Sequence, residues 1–124
     1  MCAVTEAEFQ AWVVEVAQRF GWKVWHVPAP MVHAGKRGWV GAKQGAGISD
    51  LILISDHPPR MIFAEIKREG GKLSDKQQEF LQAVQAVAED ARESRSDEQV
   101  IKAYAWWPGM EEMIETVLRT RVLA

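Results

Sequence analysis

Two acids and an ammonium stand close together in this chain: Asp50, then Glu65 and Lys67 in the run Phe63-Ala64-Glu65-Ile66-Lys67. A hard divalent cation takes oxygen ligands, and Mg²⁺ keeps several waters beside one or two carboxylates. Asp50 and Glu65 can supply those carboxylates, and the Ile66 backbone carbonyl a third oxygen. A metal-bound water is a stronger nucleophile, and the metal also offsets charge on a phosphate under attack. Lys67 can orient or deprotonate that water and stabilise the negative charge that develops. The substrate that fits this chemistry is a phosphodiester.

The elements that must position these groups are legible on either side of them. Leu51-Ile52-Leu53-Ile54 and Met61-Ile62-Phe63-Ala64 read as strands, and Ser55-Asp56-His57-Pro58-Pro59-Arg60 between them is turn chemistry. A hairpin closed about the His57-Pro58 bond sets Ser55 opposite Arg60 and Asp50 opposite Glu65. Directly opposed residues have Cβ atoms roughly 4.5–5.5 Å apart on one face. Two carboxylates so placed repel unless a cation or a proton sits between them. Lys67, two residues past Glu65, points to the same face. Gly45-Ala46-Gly47, just upstream, lets backbone or ligand come close to Asp50. The competing reading is an ordinary solvated strand face with Asp50 capping a loop. The agreement of strand, turn and register weighs against it.

Around this hairpin the chain alternates helix and strand. Thr5-Glu6-Ala7-Glu8 is a capping box, and Phe9, Val13, Val16, Ala17 and Phe20 form the apolar stripe of a helix that Gly21 ends. Glu6 falls inside that apolar arc, where an acid needs a partner: a metal shared with the hairpin, a salt bridge to Lys67, or simply water at a frayed first turn. Trp22 to Val27 reads as a strand. Residues 28–49 form a long irregular segment whose Lys36, Arg37, Lys43 and Trp39 suit phosphate contact and base stacking. A mobile polar loop is the plain alternative. His26 and His33 are candidate metal ligands, although hydrogen-bonded strand and solvated loop histidines are the commoner case. Gly70-Gly71-Lys72-Leu73 makes a flexible turn, with Lys72 a further basic group. Ser74-Asp75-Lys76-Gln77 is a second capping box, opening a helix with Phe80, Leu81, Val84, Val87 and Ala88 on its apolar face. Gln77 lies in the first turn of the helix that follows the Glu65–Lys67 strand, close to where a phosphate would sit. Residues 89–98 are charged and exposed, Val100 to Trp107 alternate as a strand, Pro108-Gly109 breaks it, and Met110, Met113, Ile114, Val117 and Leu118 mark a last helix. The expected fold is one small α/β domain over residues 1–124, a mixed sheet with helices on both faces.

This order resembles the PD-(D/E)XK nuclease superfamily, with its restriction-endonuclease-like core. Within that superfamily it is similar to the VRR-NUC branch, in particular its small stand-alone members common in phages. The resemblance rests on an acid-bearing opening helix (Thr5-Glu6-Ala7-Glu8-Phe9-Gln10), Phe20-Gly21-Trp22 with His26, and Gly-Ile-Ser-Asp50. It continues through Ala-Glu65-Ile-Lys67, Gly70-Gly71-Lys72-Leu73-Ser74 with Gln77, and Ala105-Trp106-Trp107-Pro108. Ser49 stands where the family's proline is expected. The resemblance implies Asp50 and Glu65 as ligands for Mg²⁺ or Mn²⁺, Lys67 as the water-positioning residue, Glu6 as the helix acid near the metal and Gln77 as a supporting polar group. It further implies structure-selective DNA cleavage, including branched substrates such as four-way junctions, by a homodimer whose two symmetric sites can cut two strands.

Composition bounds these expectations. A chain of 124 residues with 48% apolar and 26% charged residues is an ordinary globular domain. A net charge of −2 excludes global electrostatic attraction to nucleic acid, so any DNA surface must be a local patch. The single cysteine excludes an internal disulfide and a Cys-based zinc site, and fits a reducing cytoplasm. No run of membrane-spanning length is present. Two other functions stay open: a non-catalytic nucleic-acid-binding module that keeps the fold, and a protein-interaction subunit using the six tryptophans and the last helix.

Overall fold

The computed structural model of the protein describes residues 4–27, 31–33, 35–37, 39–41, 49–95 and 98–124 (backbone alone for 31–33, 37, 39–41 and 93–95). Thr5 opens α1 (Glu6–Arg19) as N-cap, its hydroxyl accepting from the Glu8 amide at 3.1 Å. The chain then forms β1 (Lys23–His26), β2 (Met31–His33), a 3-10 turn (Gly35–Arg37), β3 (Trp39–Gly41), β4 (Leu51–Asp56) and β5 (Pro59–Ile66). It ends with α2 (Asp75–Arg95), β6 (Ile101–Trp106) and α3 (Glu111–Thr120).

The main sheet runs β1-β4-β5-β6, antiparallel except for the parallel β5–β6 pair. Side chains alternate across it. Leu51 and Leu53 of β4, Ile62, Ala64 and Ile66 of β5, and Tyr104 and Trp106 of β6 face α1 and α3, and close the core with Phe9, Val13, Ile114 and Leu118. The opposite parity faces α2, where Phe63 meets Phe80 edge-on with ring centroids 5.7 Å apart. The mixed sheet with helices on both faces is therefore as expected.

Three local expectations change. The strands run on to Asp56 and from Pro59, so the turn shrinks from six residues to His57-Pro58. Within 28–49, β2 and β3 pair as a second, two-stranded antiparallel sheet where an irregular segment was expected. Gly35, at φ +58° in the turn between them, supplies a backbone that other residues adopt at a cost. Finally, α2 continues to Arg95, and Val87 is 62% exposed, since Ala88 takes the buried position beside it.

The C-terminal segment is fastened by Arg121, which caps α3 in the left-handed region at φ 61°. Its guanidinium donates to Ser55 Oγ at 2.7 Å and to the Phe20 carbonyl, and lies over the Trp22 ring. Its carbonyl accepts from Arg60 Nε at 3.0 Å. One side chain thus ties the end of α1, β4 and α3 together. Arg121→Ala is expected to cost about 2–3 kcal/mol in urea unfolding, because the charge-assisted bonds go and the Ser55 hydroxyl is left buried without its donor. A loss below about 0.5 kcal/mol would mean that the fastening is idle.

Candidate active site

Asp50 and Glu65 meet where β4 begins and β5 ends. The observed register pairs Leu51 with Ala64 and Ser55 with Arg60, which is the register expected from the turn. It carries on past β4: the Val27 amide donates to the Asp50 carbonyl at 2.8 Å, and the Asp50 side chain takes the Ile66 amide through Oδ2 at 2.8 Å. Asp50 is thereby oriented by the backbone of the strand that bears its partner acid. The Met61 and Lys67 amides donate to the Val100 and Trp106 carbonyls, both on the β6 side. Ile66 therefore turns its amide, and with it its carbonyl, toward Asp50.

Glu65 is 3% exposed. Its Oε1 accepts from Gln77 Nε2 at 2.7 Å and lies 3.8 Å from Lys67 Nζ. Gln77 Oε1 meanwhile accepts from the Ser74 amide at 2.8 Å, and the Gln77 amide donates to Ser74 Oγ at 3.1 Å. The Ser74 N–H can only donate, so the Gln77 amide must turn its NH₂ to Glu65. One residue both caps α2 and grips the acid. The gripping depends on where α2 starts. Trp107 Nε1 donates to the Gly71 carbonyl at 2.7 Å, and the Gly71 amide donates to the Arg68 carbonyl at 2.9 Å. These two bonds fix the tight loop between Lys67 and Ser74.

The electrostatics follow from this crowding. Burial pushes the Glu65 carboxyl up to about 8, the negative charge of Asp50 adds to the effect, and Lys67 opposes it. A hydrogen bond with the Asp50 carboxyl and the charge of Glu6 raise it further. At neutral pH and with no metal bound, Glu65 therefore holds a proton.

The other expected residues fall at different distances from this centre. Glu6 is exposed in the first turn of α1, not on the buried face, because the packed stripe begins only at Phe9. It still bears on Glu65 through its charge. Among the described residues no three His, Cys, Asp or Glu side chains come together as a metal-holding group, so Glu6 does not complete a carboxylate triad with Asp50 and Glu65. Gln10 Nε2 of α1 lies 3.1 Å from His26 Nδ1, which fits the hydrogen-bonded strand histidine rather than a ligand. Lys72 is exposed in the loop before α2, and Lys36 is exposed in the 3-10 turn that also holds Arg37. Lys43 lies outside the described residues. The Trp107–Gly71 bond was not anticipated, because nothing local marks which carbonyl an indole just past β6 will reach. Among the described residues, no helix is long and apolar enough to cross a membrane.

Comparison with known proteins identifies the family of the chain. The family model described as VRR-NUC domain matches residues 5–101, from the N-cap of α1 to the start of β6, and spans Asp50, Glu65, Lys67 and Gln77. No curated protein and no solved structure matches the chain. That match covers most of the chain and carries with it a nuclease-type, DNA-related function. A hairpin bearing two acids and a lysine, closed by a glutamine-capped helix, is thus the centre of a chain that belongs to the VRR-NUC family.

Proposed function

We propose that the protein is a metal-dependent DNA endonuclease in which residues 1–124 act as one nuclease domain. The observation that carries this is the placing of Glu65: buried, gripped by Gln77 at 2.7 Å, 3.8 Å from Lys67 Nζ and beside the Asp50 carboxyl. Two carboxyls brought together out of water, each opposing the other's charge, offer the oxygen donors that a hard cation takes. Asp50, Glu65 and the Ile66 carbonyl are the ligands we assign for Mg²⁺ or Mn²⁺. When bound, the ion supplies an activated water and offsets charge on the phosphate.

The chain's own residues do the rest. Asp50 keeps its orientation through the Ile66 amide, and Gln77 fixes one oxygen of Glu65. Lys67, with its side chain 14% exposed, is close enough to hold the attacking water and to meet the charge that develops. Glu6 contributes as a more distant acid. Lys36, Arg37, Lys43 and Lys72 are the proposed phosphate contacts, supplying the local patch that a net charge of −2 requires. We assign selectivity for branched DNA, four-way junctions included, and a homodimer that places two such sites on two strands.

The test is cleavage of labelled single-stranded, duplex, flap and four-way-junction DNA with Mg²⁺, Mn²⁺ or EDTA, wild type beside Lys67→Ala. Metal-dependent cuts, preferring the branched substrates and lost in the variant, are expected. Salt-dependent binding without cleavage in any metal would replace this reading with a non-catalytic DNA-binding module.

A further inference from the structure

One face of the sheet can be laid out in rows from the observed pairings. The first row to cross all four strands is Lys23, Ile54, Met61 and Ile101, and the next is Trp25, Ile52, Phe63 and Ala103. The row after that is Val27, Asp50, Glu65 and Ala105, through the Val27 amide on the Asp50 carbonyl. Trp25 therefore stands one row behind the acid pair, on the same face, at the free edge of β1. Rows on one face are roughly 6.6–6.8 Å apart, which sets Trp25 Cβ about 7–8 Å diagonally from Asp50 Cβ.

Trp25 is 51% exposed. Of the other tryptophans whose side chains are described, Trp22 and Trp106 are buried and Trp12 and Trp107 half-buried. Phe80 of α2 covers Phe63 further along the same row. On the far side Lys23 is tied to Asp56 at 2.7 Å, so an ion pair closes that end. What remains open is an indole between an ion pair and the acid pair, with the half-buried Ile52 beside it.

We propose that the Trp25 indole stacks on an unpaired nucleobase of the strand being cut, adjoining the scissile phosphate. This rests on the nuclease reading above. A base inside a duplex is already stacked on its neighbours and offers only its edge, whereas an unpaired base has a free π-face for an aromatic platform. Among the described residues Trp25 is the one large aromatic more than half exposed, and a single ring continuous with the acids suits one base better than a protein partner, which would require a wider apolar patch. Trp25 thus favours substrates that bring unpaired nucleotides to the acid pair.

The experiment measures binding of labelled single-stranded and duplex oligonucleotides in Mg²⁺ to Lys67→Ala protein, alone or combined with Trp25→Ala or Trp25→Phe. Trp25→Ala is expected to weaken single-strand binding about tenfold, the scale of one stacked base. Trp25→Phe should restore most of it, and duplex binding should move less than twofold. Equal loss on both substrates, or no loss on either, would overturn the proposal. Cleavage by protein with Lys67 intact separates the two readings. If wild type and Trp25→Ala cut alike with the same KM, the platform fails and the nuclease stands. If nothing is cut yet Trp25→Ala still loses single-strand binding, the nuclease reading fails, and with it the scissile phosphate, while Trp25 stands as a stacking platform for an unpaired base.

Discussion

Glu65→Gln is expected to abolish cleavage and to make the metal-free protein more stable at alkaline pH. The amide has nearly the shape of the carboxyl and keeps an oxygen for Gln77 Nε2, so the fold should persist. It cannot serve as an anionic ligand, and loss of one member of a unit that acts together lowers rate on the order of a thousandfold or more. The stability effect has the opposite sign. In the unfolded chain Glu65 loses its proton near 4.5, whereas in the fold it holds it up to about 8. Between those values the native state binds more protons, so its stability falls as pH rises. The contribution is complete below about 4.5 and gone above about 8. Glutamine has no charge to bury and should lack that decline. Thermal unfolding across this window in EDTA, wild type beside variant, is the measurement. Parallel curves would show that Glu65 is not the buried proton holder, and cleavage within tenfold of wild type would remove it from the chemistry. In Mg²⁺ the wild type should recover stability, because a ligand that binds only the folded state stabilises it.

Trp106→Ala carries the largest expected loss of stability. Trp106 is 0% exposed, stacks on Tyr104 with ring centroids 5.3 Å apart, and belongs to the core closed by α1 and α3. Truncating a buried aromatic to alanine costs about 3–5 kcal/mol, a large share of the roughly 5–15 kcal/mol that holds a domain together. Its Nε1 has no hydrogen-bond partner among the described residues. An unpaired buried donor costs about 1–3 kcal/mol, and Trp106→Phe removes it while keeping most of the ring. Phenylalanine should therefore lose less than half of what alanine loses. Urea unfolding of both variants decides this. If phenylalanine is as damaging as alanine, the indole's volume matters and its orphan N–H does not.

The acid pair was legible in the sequence because it depends on short-range rules. Alternation fixed the faces, a Pro-rich turn fixed the centre of the hairpin, and together they set the register that brings Asp50 beside Glu65. The capping role of Gln77 was equally local. Its grip on Glu65 was only suggested, because it depends on where α2 lands, which Trp107 and Gly71 decide from distant parts of the chain. Glu6 was assigned to the buried arc by helical periodicity alone. Periodicity ranks residues around an axis and says nothing of where along that axis packing starts, which here is Phe9. The β2–β3 pairing was missed because glycine-rich composition masked two short runs, Met31–His33 and Trp39–Gly41.

The two-residue turn between β4 and β5 also bears on how the chain folds. Bringing Asp50 up to Glu65 closes a short loop, whereas β6 reaches β5 only after all of α2 has been wound in between. Closure entropy rises with loop length, and local pairings tend to form ahead of distant ones. The acids should then meet early, before Gln77 or a covering helix is in place. Their mutual repulsion acts on the folding barrier as well as on the finished fold. Stopped-flow refolding in EDTA above pH 8 should find Glu65→Gln faster to fold, with its unfolding rate less changed. A change confined to the unfolding limb would place the pairing late. The carboxylates assigned to grip a metal in the native state are, on the way there, a brake on folding that the cation itself can release.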